Sequence, residues 1–158
     1  MPHLNASVEK FLDEICELQP DVIGFSIRYT SFPCTHLLAS KCKERLPKVK
    51  IVIGGPHVSV AQLDIIKYEM QFSPIDFAVM GEGEATFVEL LQRWRDDQDL
   101  AGCKGIVYRK SNGEIAHESL RDQLPINLLP VPQFEDFDLS LYTLKDGLPI
   151  SLSRGCVA

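Results

Sequence analysis

Lys50-Ile51-Val52-Ile53-Gly54-Gly55-Pro56 decides how this chain is read. Three consecutive β-branched residues favour a strand covered on both faces, and the run ends directly in two glycines and a proline. Upstream, Leu37, Leu38, Cys42 and Leu46 recur at helical spacing from about Thr35 to Leu46, a segment closed by Pro47. Before that, Val22-Ile23-Gly24-Phe25-Ser26-Ile27 is a second short apolar run without alternation. A helix from Ser7 to Leu18 precedes it, with Val8, Phe11, Leu12, Ile15 and Leu18 on one side and Pro20 after its end. Downstream, the pattern predicts a helix over Val60–Phe72, a strand at Phe77-Ala78-Val79-Met80 and a helix over Ala85–Arg95. Alternating helices and short apolar strands predict an α/β protein with a parallel sheet and flanking helices.

After Gly102 the pattern changes. Residues 105–109 and 114–117 flank Lys110-Ser111-Asn112-Gly113, and Asn-Gly is a strong hairpin signal. From Leu124 to Pro149 four prolines (Pro125, Pro130, Pro132, Pro149) punctuate an extended linker, and Pro149-Ile150-Ser151-Leu152-Ser153 could begin another strand. The expected organisation is an α/β domain over 1–102, a hairpin extension over 103–123, a linker over 124–149 and the start of a further domain at 150–158.

The chain has 158 residues, 45% hydrophobic and 24% charged, with a formal net charge of -6. That length can bury a core without staples. The acidic balance argues against nucleic acid as a partner. No apolar run reaches the ~18–20 residues of a membrane span, and no signal peptide opens the chain. The five cysteines, Cys16, Cys34, Cys42, Cys103 and Cys156, are scattered and contain no CxxC pair. Such usage favours reduced thiols in a cytoplasmic protein. Cys156, third from the end, looks less like part of a tail than like a cut.

In open parallel sheets ligands bind beyond the carboxyl ends of the strands. Three loops there carry distinctive residues: Ser26, Arg28, Tyr29, Thr30 and Ser31; then Gly54, Gly55, Pro56, His57 and Ser59; then Gly81, Glu82, Gly83 and Glu84. Paired glycines permit close approach of backbone to a ligand. Each loop could also be something plainer. Gly54-Gly55-Pro56 could be only a tight turn, His57 an ordinary helix-start histidine, Ser26 a partner for nearby backbone and Glu84 a carboxylate favoured by the helix dipole. A GxGxxG fingerprint, a Walker A loop and a nucleophile elbow are absent, and no catalytic triad or carboxylate pair can be assembled.

The ordered series Pro20-Asp21-Val22-Ile23-Gly24-Phe25-Ser26, Ile51-Val52-Ile53-Gly54-Gly55-Pro56-His57-Val58-Ser59 and Gly81-Glu82-Gly83-Glu84 resembles the cobalamin-binding domain of cobalamin-dependent radical S-adenosylmethionine enzymes. Leu129-Pro130-Val131-Pro132-Gln133-Phe134 is similar to their linker, and Ser153-Arg154-Gly155-Cys156 to the opening of their radical domain. The resemblance implies a Rossmann/flavodoxin-like sheet, with small-molecule cofactors as partners. Ser26 and Thr30 would face the nucleotide tail of cobalamin and Gly54 and Gly55 would pack against it. Pro56 and His57 belong to that same second loop, and Gly81, Glu82 and Gly83 would lie near the corrin edge or tail. Cys156 would be the first of three cysteines holding a [4Fe–4S] cluster that cleaves S-adenosylmethionine, its two partners falling beyond Ala158. The family's first strand–helix–strand unit and its D-x-H-x-x-G histidine have no match.

The resemblance makes the chain a cobalamin-binding module with no turnover of its own, within a parent that performs methyl transfer or related radical chemistry. Two alternatives stay open: a flavodoxin-like regulatory module without cobalamin, and an interaction domain whose loops are ordinary turns. Without the leading unit, a bare sheet edge would invite homodimerisation.

Overall fold

The computed structural model describes residues 2–131 together with 133, 134, 138 and 140. Helix α1 (Pro2–Leu18) begins five residues before the expected Ser7, which sits inside the helix instead of capping it. It stops where Gln19 turns left-handed (φ 47°) and its side-chain amide donates to the Cys16 carbonyl at 2.6 Å. Strand β1 (Val22–Ser26) follows, then a 3₁₀ turn at Tyr29–Ser31 and helix α2 (Phe32–Arg45). Pro33 lies in the first turn of α2, where its missing N–H costs no hydrogen bond, so the helix starts earlier than its apolar spacing suggests.

Strand β2 (Lys50–Gly54) runs straight into the short helix α3 (Pro56–Val60). The helix expected over Val60–Phe72 is α4 (Leu63–Gln71), which starts three residues late because the chain is extended at Ala61 and Gln62, whereas α3 falls on residues expected to form a loop. Pro56 starts a helix early, and the Val58-Ser59-Val60 run is too poor in helix formers to carry it further. Both helices bury an apolar side chain, Val58 from α3 and Ile66 from α4. Strand β3 (Phe77–Val79) and helix α5 (Gly83–Arg95) complete the alternating part.

The hairpin forms as expected. Strands β4 (Ile106–Arg109) and β5 (Ile115–His117) are joined by a turn in which Gly113 has φ 86° and Asn112 Oδ1 accepts the Glu114 N–H at 3.0 Å. It pairs antiparallel to β3, making a five-stranded sheet of order β1-β2-β3-β4-β5 whose first three strands are parallel. The register sets Gly24 beside Val52 and Ser26 beside Gly54.

Alternate residues build two cores. Ile23, Ile51, Ile53, Ala78 and Val107 pack with Leu12, Ala39, Cys42, Val58, Ile66 and Met70 from α1 to α4. On the other face Val52, Phe77, Val79, Ile106 and Tyr108 pack with Leu90 of α5 and with Cys103. Burial pushes the Cys42 and Cys103 thiols up from their ordinary value, the state of inert structural cysteines. The chain divides into two compact units at Arg121. In the second, the described residues include a 3₁₀ turn at Ile126–Leu128 and Ser140, whose N–H and hydroxyl both donate to Asp138. The strand expected at Pro149–Ser153 and Cys156 lie outside the described residues. No helix among the described residues is long and apolar enough to cross a membrane.

Candidate functional site

Glycines and one serine at the carboxyl ends of β1, β2 and β3 open a cleft of about 510 Å³. Its walls include Gly24 and Ser26 of β1, Gly54 at the end of β2 and Gly55 after it, Gly81 and Glu82 before α5, and Gly83 and Glu84 at its start. Val52, Val79 and Phe87 supply the apolar floor. The size is that of a small-molecule site, for which about 300–1,000 Å³ is usual.

The glycines have different roles. Gly55 adopts φ 92°, and a Cβ there would come within 2.8 Å of Ser26 Oγ and 3.0 Å of the Ile27 nitrogen. Only glycine lets the second loop lie this close to the first. Backbone bonds hold the two together: the Ile27 N–H donates to Gly54 O at 2.8 Å, and the His57 N–H to Ile27 O at 3.1 Å. Gly81 is also left-handed (φ 73°), but a Cβ there would meet nothing within 4 Å. Gly24 is exposed, with nothing within 4 Å of where its Cβ would be. It leaves the β1 side of the cleft open.

Ser59 ties the second loop to the third. Its Oγ accepts the Gly81 N–H at 3.2 Å and lies 3.1 Å from the Gly55 carbonyl and 3.3 Å from that of Gly81, to one of which its hydroxyl donates. At the third loop, Gly83 and Glu84 at the start of α5 line the cleft, so it meets the end of that helix where the dipole places a partial positive charge suited to an acceptor oxygen.

Of the nine residues that the resemblance assigns to cofactor binding, Ser26, Gly54, Gly55, Gly81, Glu82 and Gly83 line the cleft. Thr30, Pro56 and His57 do not. Thr30 is exposed in the 3₁₀ turn, and Pro56 opens α3 on the surface. His57 is buried and turned toward α4, where its Nε2 lies 2.9 and 3.0 Å from the two Glu69 oxygens. Its ring is 5.7 Å from that of Tyr29 and 6.0 Å from that of Phe32. Gly24, Val52, Val79 and Phe87 were missed as lining residues. The signal for Gly24 was present: an isolated glycine inside a strand marks close approach of something else. Among the described residues no three His, Cys, Asp or Glu side chains converge as a metal site.

A family model described as the B12 binding domain matches residues 3–91. The chain belongs to the B12-binding domain family. It is 32% identical over 162 aligned positions to the anaerobic magnesium-protoporphyrin IX monomethyl ester cyclase of Synechocystis, covering 93% of this chain and 30% of that protein. It is 31% identical over 147 positions to an uncharacterized methyltransferase of Pyrococcus horikoshii, covering 90% and 31%. This B12-binding domain thus spans about a third of the length of these curated relatives. Among solved structures it is similar to the cobalamin-dependent S-adenosylmethionine radical enzyme OxsB with aqua-cobalamin and S-adenosylmethionine bound (TM-score 0.59, 17% identity, 73% of this chain and 16% of that one). It is also similar to the radical S-adenosylmethionine methyltransferase TsrM of Kitasatospora setae with cobalamin and a [4Fe-4S] cluster bound (TM-score 0.56, 18% identity, 77% and 22%). At these identities the likeness is one of fold.

Proposed function

We propose that the cleft receives the nucleotide tail of cobalamin, and that the chain is the cobalamin-holding part of a larger radical S-adenosylmethionine protein. The observation that carries this is the cleft itself: in a B12-binding domain, small residues from all three strand ends leave one open, apolar-floored space. Ser26, Gly54, Gly55, Gly81 and Gly83 would hold the tail, through close backbone approach, the Ser26 hydroxyl and the N–H groups opening α5. Glu82 borders the same space. Thr30, Pro56 and His57 would act from outside it, by shaping the loops. Bound cobalamin supplies organocobalt chemistry of its own, and the chain's residues supply position.

In the parent, Cys156 would be one of three cysteines holding a [4Fe–4S] cluster beside S-adenosylmethionine. Methyl transfer or ring-forming radical chemistry are the reactions suggested by the relatives' names. The described cysteines are all free thiols, which supports a reducing, cytoplasmic setting. Strand β1 ends the sheet, and its five residues include no charge or proline to protect that edge, which supports self-association there. Light scattering at rising concentration should show a dimer; a strict monomer argues against it.

The cleft is tested by plugging it. Gly24→Phe adds a ring on the side where nothing lies within 4 Å. The variant should melt as the native chain does, yet fail to retain hydroxocobalamin through desalting, as read by visible absorption. Native retention by this variant would mean that the tail binds elsewhere.

A further inference from the structure

We propose that the buried His57–Glu69 pair is a positioning device for the second loop, which gives the cleft its preference for a corrinoid carrying a nucleotide tail. The inference rests on the assignment of the cleft to that tail and adds a residue pair that does not touch it.

The side chains of both partners are nearly shut off from solvent, 5% exposed for His57 and 12% for Glu69. The Nε2–H is shared between both carboxylate oxygens, at 2.9 and 3.0 Å. Burying such a pair has a desolvation cost, and apolar residues of similar volume would commonly fill the space with equal or greater stability. Packing alone therefore does not explain it. What the pair provides is direction, because a hydrogen-bonded ring has one orientation where an apolar one slides.

His57 is where four pieces of the molecule meet. Its backbone N–H donates to Ile27 O in the first loop, its ring lies against Tyr29 and Phe32, and its Nε2 reaches Glu69 on α4. Two residues earlier Gly55 sits against Ser26 with no room for a Cβ, and two residues later Ser59 bridges to Gly81. The chain between these contacts is the short helix α3, which lacks the length to hold its own geometry. Pinning His57 from behind thus fixes Gly55 in front and Ser59 at the side. The wall of the cleft that would meet the tail is set by a contact on its far side.

The test compares aquacobalamin with aquacobinamide, the same corrin without the nucleotide tail, each titrated into the chain and followed by visible absorption. The variant is the double replacement His57→Phe and Glu69→Leu, which keeps apolar bulk and leaves no unpaired buried charge. Its melting temperature should equal or exceed the native value. Aquacobalamin affinity should fall about tenfold, the size of one or two lost hydrogen bonds, while aquacobinamide affinity stays within about twofold. Glu69→Gln, which still offers an acceptor to Nε2–H, should restore most of the tail preference. Should the double variant not fold, Glu69→Gln against Glu69→Ala makes the same comparison. Unchanged aquacobalamin binding, or a parallel loss of both corrinoids, overturns the positioning role while leaving the cleft's assignment standing. A native chain that binds aquacobalamin no better than aquacobinamide removes that assignment, and this inference with it.

Discussion

On one face of the sheet, Ile23, Ile51, Ile53, Ala78 and Val107 are packed by side chains from four helices, whereas among the described residues α5 is the one helix whose buried side chain joins the core on the other face. The strands are the same; alternate residues make the difference. Strand β1 gives Ile23 and Phe25 to the first face but Val22, Gly24 and Ser26 to the second. Where the second face reaches β1 the side chains shrink to the exposed Gly24 and Ser26, and there the cleft opens. The site is therefore the unfinished half of an otherwise ordinary α/β sandwich, kept open by small residues.

This contrast can be broken most sharply by truncation. Ile51→Ala, on the finished face with no exposure, should cost about 2–5 kcal/mol by urea unfolding, while Val22→Ala, half-buried on the other face, should cost less than about 1.5 kcal/mol. Equal costs would mean that both faces are packed alike. The next largest effect separates two left-handed glycines. Gly55→Ala combines backbone strain with a clash against Ser26 and Ile27 and should cost about 3 kcal/mol, whereas Gly81→Ala meets open space and should cost about 1 kcal/mol. Thermal melts of the two variants check this, and equal shifts would show that the loop contact at Gly55 is not tight.

The smallest effect concerns what holds α5 on the less covered face. Burial alone would raise the Glu89 carboxyl, but hydrogen bonds from Arg121 and then Arg93 outweigh it and hold it below its ordinary value. A depressed folded value means that the stability from this group is present above about pH 4.3 and is lost as pH falls through the folded value. Arg121→Gln should therefore lower stability at pH 7 by less than about 1 kcal/mol, and the gap from native should close once pH has fallen below the folded value. A gap that persists in acid would show that Arg121 acts through Thr86, to which it also donates at 2.9 Å, and not through Glu89.

Much of this was legible in the residues. Ile51-Val52-Ile53 announces a strand buried on both faces, Asn112-Gly113 a hairpin, and the hydroxyl-rich loop and two glycine-bearing loops a ligand edge, because each is a local signal with a local cause. The break at Ala61–Gln62 was not legible. Burying both Val58 and Ile66 against the sheet decided it, and that is a tertiary demand. His57 shows the same limit, since nothing near it in sequence says that Glu69, twelve residues away and on another helix, will claim its ring.

By itself the sequence determined which segments become strands and which loops must be glycine, since periodicity and left-handed backbone are properties of short stretches. Only the tertiary structure decided that the hairpin extends the parallel sheet along β3, that Gly24 faces empty space and that His57 looks away from the cleft. Each of these depends on what other parts of the chain cover or leave bare, and burial is a property of the whole fold.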